Sequence, residues 1–236
     1  MQYGIISSSS KLSEADCAFI AAVVGMQAAE VADHWSLPRP AVAFYATPEG
    51  LPVESGEVRI VHIVDDLNDP GALGWHTIIA GLVVSKILAQ DINGTCITAG
   101  HEVFESLVDP GCDGWRKRGD GTQVALEVSD PVEGDAYPVT VAIMGETRTL
   151  LGSNWVTPEW FDPAELDPLT VRDKMGRVRE PFGLTTGGYI VVADSAGNET
   201  EVFARVRVQH ADHRGEAAAG RKLARPDSRL IKRLRS

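Results

Sequence analysis

Gly94-Thr95-Cys96-Ile97-Thr98-Ala99-Gly100-His101-Glu102-Val103-Phe104-Glu105-Ser106-Leu107-Val108 is the stretch whose reading decides the fold. Its apolar spacing predicts a helix over 94–108, with Val103, Phe104, Leu107 and Val108 anchoring one side in a core. His101 and Glu105 lie four residues apart, so they sit one turn apart on a shared face. The small, apolar run 96–100 predicts a buried approach to His101. Pro110-Gly111 ends the helix, because proline lacks an amide donor and disfavours helical backbone before it.

An i, i+4 pair is also how HExxH helices present two ligands to one zinc ion. The second donor here would be a carboxylate, which zinc accepts. Glu102 holds the position of the general base that takes a proton from metal-bound water. Asp109 at the helix end, Glu127 in the strand read at 123–128, and Asp130 at that strand's exit are further acidic candidates. A third, downstream ligand would close a three-ligand site with one open position. By itself His-Glu-x-x-Glu is a weak pattern, equally compatible with a solvated helix surface.

Outward from this helix, Ser13 reads as an N-cap followed by Glu14 and Asp16 in a first turn. The apolar set Phe19, Ile20, Val23, Val24, Met26 and Val31 predicts a buried-face helix to about Trp35, stopped by Pro38 and Pro40. Strands are expected at 41–46, 57–64, 80–89, 123–128, 139–144 and 148–151. Residues 152–185 read as an irregular excursion. A terminal hairpin follows, pairing 189–193 with 200–208. The expectation is an α+β globular domain over 1–210 and a basic, flexible tail over 211–236.

Charge supports that division. The net charge is −11, yet residues 211–236 carry eight Lys/Arg against three Asp/Glu, so residues 1–210 carry −16. Such acidity argues against a general nucleic-acid binder. The three cysteines, Cys17, Cys96 and Cys112, have no paired spacing, which favours thiols in a reducing compartment over a disulfide framework. No basic-then-apolar leader is apparent, and no apolar run approaches the ~20 residues of a membrane span. These features predict a soluble cytoplasmic protein without a membrane partner.

Other conspicuous residues have ordinary explanations. His76, in Gly74-Trp75-His76-Thr77, reads as a satisfied loop histidine, with a ligand or substrate-orienting role as the alternative. His62 reads as structural. Asp65, Asp66 and Asp69 lack the calcium-loop pattern and read as turn residues. Trp75, Trp115, Trp155 and Trp160 read as packing residues.

Five blocks carry a resemblance. They are Pro70-Gly71-Ala72-Leu73-Gly74-Trp75-His76, the 100–110 segment around Gly100-His101-Glu102-Val103-Phe104-Glu105, and 127–137 from Glu127-Val128-Ser129-Asp130-Pro131. The last two are 153–163 from Ser153-Asn154-Trp155 and 181–189 ending Thr186-Gly187-Gly188-Tyr189. Spanning roughly residues 65–192, they make the chain resemble zincin-like metallopeptidases of the HExxE type encoded in bacteriophage and prophage genomes. The resemblance implies a mixed sheet packed on an N-terminal helix and an active-site-type helix, with a C-terminal hairpin and tail. It implies His101 and Glu105 as zinc ligands, Glu102 as the catalytic glutamate, and Asp109, Glu127 and Asp130 as further ligand candidates. A peptide substrate and a location in the host cytoplasm follow from the same likeness. The second histidine of active zincins is replaced by Glu105, and Gly100 stands where serine is frequent. The alternative is a non-catalytic virion structural or assembly protein that docks on other virion proteins through its basic tail.

Overall fold

The structure, a computed structural model, describes residues 1–52, 58–164 and 167–204. Five strands, β1 (Gln2–Ser7), β2 (Ala41–Phe44), β3 (Val58–Val64), β4 (Gly74–Ile79) and β5 (Leu82–Leu88), form a sheet in the order β2-β1-β3-β5-β4. All pairs are parallel except β4 with β5, which are joined by a tight turn with positive φ at Ala80 and Gly81. Period-two alternation sends Tyr3, Ile5, Val61, Ile63 and Ile87 into one core. In the ladder Ile5 pairs with Val61, and Ile63 with Ile87. The same register carries His76 of β4 opposite the buried Ser85. His76 therefore belongs to the core face, whereas His62 lies on the other face and contacts Ser8 Oγ at 3.0 Å.

Helices α1 (Glu14–His34) and α2 (Ile92–Val108) share that core. Ser13 caps α1 through a reciprocal box, accepting from the Asp16 amide while Asp16 accepts from Ser13 N–H. Asp91 caps α2 by accepting from Gly94 N at 2.7 Å. By length and composition α1 is apolar enough to cross a bilayer, unlike the expectation drawn from run length. Its buried residues, including Phe19, Ile20, Val23, Val24 and Val31, are spent on the protein's own core. Each such side chain stabilises the fold by roughly 1.5–3 kcal/mol.

The remaining strands cover the helices and shape the site. A hairpin of β8 (Ala136–Ile143) and β9 (Glu146–Ser153) turns at Met144-Gly145, both with positive φ, and packs on α1 and α2. A second antiparallel sheet runs β11-β10-β7-β6, from β6 (Trp115–Lys117), β7 (Gln123–Ala125), β10 (Tyr189–Ala193) and β11 (Glu199–Phe203). Among its described residues, the excursion after β9 lacks strands apart from an isolated bridge, Val156 to Asp173, yet it is well buried at Trp155, Trp160 and Asp173. Asp173 organises it by accepting from Asn154 Nδ2, Met175 N and Val178 N.

The described residues thus form a mixed α+β structure with two α-helices and several sheets. β1 and β4 are strands that the sequence pattern did not reveal. The strand expected over 123–128 ends at Ala125, after which Leu126, Glu127 and Val128 are all buried in irregular backbone, not alternating. The tail over 211–236 and the end of the domain at 210 lie outside the described residues.

Candidate metal centre

α2 passes close above β4 because residue 74 is glycine. A Cβ there would stand 2.8 Å from both Glu102 Oε1 and Thr98 Cγ2. The close approach lays the His101–Glu105 turn against His76. On the other side, the 3-10 turn Asp130–Val132 is pressed in by the strand entry at Gly188, where a Cβ would lie 2.1 Å from Pro131 O. Two backbone close approaches thereby set the separation of three chain segments.

Four acidic or basic side chains meet there, with exposures of 4% for His101, 2% for Glu102, 4% for Glu105 and 4% for Asp130. His101 Nε2 lies 3.1 Å from Glu105 Oε1 and 3.1 Å from Asp130 Oδ1. Neither contact has hydrogen-bond geometry: His101 Nε2 and Asp130 Oδ1 are both buried without a hydrogen-bond partner. Ligands on tetrahedral zinc, each at about 2.0–2.1 Å, stand roughly 3.3 Å apart. The spacing and the orphaned donor atoms therefore fit a shared cation better than they fit direct pairing. Ser129 supports the arrangement, donating from its amide to Glu105 Oε1 at 3.3 Å and from Oγ to His101 O at 3.4 Å.

His76 meets the neighbouring carboxylates. Its Nδ1 is 3.1 Å from Glu102 Oε2 and 4.0 Å from Glu105 Oε2, and its Nε2 is 3.3 Å from Asp109 O. His76, Glu102 and Glu105 form one buried group able to hold a metal ion, and His101, Glu105 and Asp130 form another. The loop role expected for His76 gives way to a buried strand position, because the β4–β5 register points it at α2.

Burial dominates the electrostatics. It pulls His101 towards the neutral form, but the Glu105 and Asp130 carboxylates outweigh it and hold the imidazole well above its ordinary range. Burial likewise opposes charge on His76, and contacts with Cys112, Glu102 and Glu127 reverse the balance upward. The Glu105 carboxyl is pushed well above its usual range by burial and by Asp130 and Glu127, against the pull of His101. Tyr189 sits beside Asp130, its phenol driven up by burial and then by Asp130 and Glu105, so it stays a neutral hydroxyl.

Of the residues singled out from sequence, His101, Glu105 and Asp130 come together as a donor set, and Glu102 stands beside them against His76. Asp109 is buried at the end of α2, where its Oδ2 accepts from Gly114 N at 2.8 Å. Only its backbone carbonyl faces His76. Glu127 is buried within electrostatic reach of His76, Cys112 and Glu105. Neither Asp109 nor Glu127 joins the two metal-holding groups found among the described residues. Tyr189 was not foreseen as a site residue; the Gly187-Gly188-Tyr189 run was its available signal. The three cysteines are free thiols.

Buried histidine and carboxylate donors at this spacing can bind a metal ion. No protein-family model, curated protein or solved structure matches the chain.

Proposed function

We propose that the protein is a zincin-like, zinc-dependent peptidase encoded by a bacteriophage. The observation that carries the reading is the convergence of His101 Nε2, Glu105 and Asp130 Oδ1 in a buried cluster, with two of these atoms lacking hydrogen bonds. A helix carrying such donors above a mixed sheet is compatible with the zincin-like scaffold that the sequence resembles. Zinc suits one imidazole and two carboxylates, and three protein ligands leave a fourth position for water or substrate.

When bound, the metal would polarise a peptide carbonyl and acidify water. The chain's own contributions are distinct. His101, Glu105 and Asp130 hold the ion; Ser129 fixes Glu105 and the His101 backbone. Glu102, one residue on from the first ligand, accepts the proton from the attacking water. His76 orients the Glu102 carboxylate through its 3.1 Å contact. Tyr189 holds its proton beside Asp130. The expected outcome is about one tightly held zinc per chain, lost in His101→Ala. Glu102→Gln should keep that zinc while losing cleavage of a general protein substrate such as casein. Wild-type cleavage by Glu102→Gln would remove the catalytic assignment.

A second reading is favoured by the depth of the donors, all at most 5% exposed in their side chains for His76, His101, Glu102 and Glu105. Closed, buried sites are characteristic of structural metal ions. On this reading the chain is a non-catalytic virion protein with a stabilising ion, resident in the host cytoplasm until assembly and joined to other virion proteins by its basic tail. Deleting residues 211–236 should then block incorporation into particles without unfolding the domain; unimpaired incorporation would count against it.

A further inference from the structure

We propose that His76, Glu102 and Glu105 form a second divalent-cation site, coupled to the first through Glu105 as a bridging carboxylate. This rests on the metal-binding reading of the His101–Glu105–Asp130 group.

Orientation is the first argument. The two oxygens of Glu105 face different imidazoles: Oε1 lies 3.1 Å from His101 Nε2, and Oε2 lies 4.0 Å from His76 Nδ1. A carboxylate placed between two such donors can ligate one ion with each oxygen. His76 is prepared in the way a metal-binding histidine usually is. Its Nε2–H donates to the Asp109 backbone carbonyl at 3.3 Å, so Nδ1 is the nitrogen turned towards Glu102 and Glu105. A lone pair aimed at carboxylate oxygens is repulsive unless a proton or a metal ion lies between them.

Charge balance is the second argument. Glu102, Glu105, Asp109 and Asp130 are all buried. Among the described residues, their hydrogen bonds and ion pairs reach imidazoles, backbone amides and Tyr189, and none reaches Lys or Arg. Glu127 is buried within reach of the same groups, so five acidic side chains gather around two histidines. Uncompensated charge in such a place is strongly unfavourable.

The second ion has a functional consequence. Once Glu102 is a ligand, its carboxylate is no longer free to accept a proton from water. Filling the second site therefore switches off the base while leaving the first ion in place.

The test is zinc titration of the chelator-stripped full chain, counted by native mass spectrometry. Wild type should take up two ions in succession. His76→Ala and the more conservative His76→Gln, each checked for fold by circular dichroism, should stop at one. Glu102→Gln should also stop at one. Wild type saturating at one ion, with that ion lost in His101→Ala, would overturn this proposal and leave the first centre standing. A second ion retained by both His76 variants would overturn it as adventitious surface binding. No bound ion at all would remove both sites together.

Discussion

The site depends on a few atoms whose positions are over-determined. Gly74 is the clearest case, since any Cβ at that position would collide with Glu102 Oε1 and Thr98 Cγ2. Gly74→Ala should destabilise the fold by about 1–3 kcal/mol, the usual range for overpacking, and should weaken zinc affinity by displacing α2. Chemical denaturation with and without zinc measures both effects. The titrating groups make a second prediction. In the metal-free protein, His101 has a folded pKa above its unfolded value of 6.5, so its stabilising contribution is complete below that pH. It is lost as pH rises through the folded value. Glu105, raised by burial, acts in the same direction, its contribution being complete below its ordinary 4.5. In chelator, the midpoint of unfolding should therefore fall as pH rises above 4.5 through Glu105, and further above 6.5 through His101. With zinc the trend should reverse, because a metal ion requires the neutral imidazole and the ionised carboxylate. A zinc-loaded protein whose stability falls with rising pH in step with the chelated one would contradict the ligand assignment.

At the scale of elements, α2 was legible from its own residues and β4 was not. The helix announces itself through apolar spacing, a small-residue approach and the Pro110 stop. Its start was read two residues late, because the actual cap is Asp91, and the Asn93-Gly94 pair has weak helix propensity. Asp91→Ala should cost about 1 kcal/mol in thermal or denaturant unfolding, the typical value for losing a cap. β4 is short and begins with glycine, and its neighbours in sequence form a polar turn. Its strand character comes from the hairpin with β5, whose Ala80-Gly81 turn the strand expected over 80–89 absorbed. Without that strand, the sequence pattern leaves His76 in a loop, with no face to point it at α2. β1 was missed for a related reason. Gln2-Tyr3-Gly4-Ile5-Ile6-Ser7 contains a central glycine and polar ends, yet it is an interior strand flanked by β2 and β3. The alternation in β3 was visible, but which face was inward became clear only once β1 and β5 were placed on either side. Glu127 shows the opposite error, since a regular strand was assumed where the chain leaves the sheet after Ala125.

For the whole molecule, the acidic composition and the buried site are connected. A share of the acidic side chains is not solvated surface but sits inside, at Glu102, Glu105, Asp109, Glu127 and Asp130. Burying these groups opposes folding unless cations accompany them. The metal-free chain should consequently be the less stable form. Saturating zinc at about 100 times its dissociation constant should add about 2.7 kcal/mol. A calorimetric midpoint unchanged by zinc or chelator would be inconsistent with a bound ion in the native state. Composition also showed the contrast between the acidic residues 1–210 and the basic residues 211–236, but no sequence pattern showed that β10 and the Asp130–Val132 turn are brought to α2. That closure runs through Gly188 against Pro131 O, a contact between residues more than fifty positions apart. The most direct measurement is anomalous diffraction at the zinc edge from crystals grown with zinc. The account predicts a peak about 2.0–2.2 Å from His101 Nε2, a Glu105 oxygen and Asp130 Oδ1. A map with no peak there, in which His101 instead hydrogen-bonds directly to both carboxylates, would contradict it.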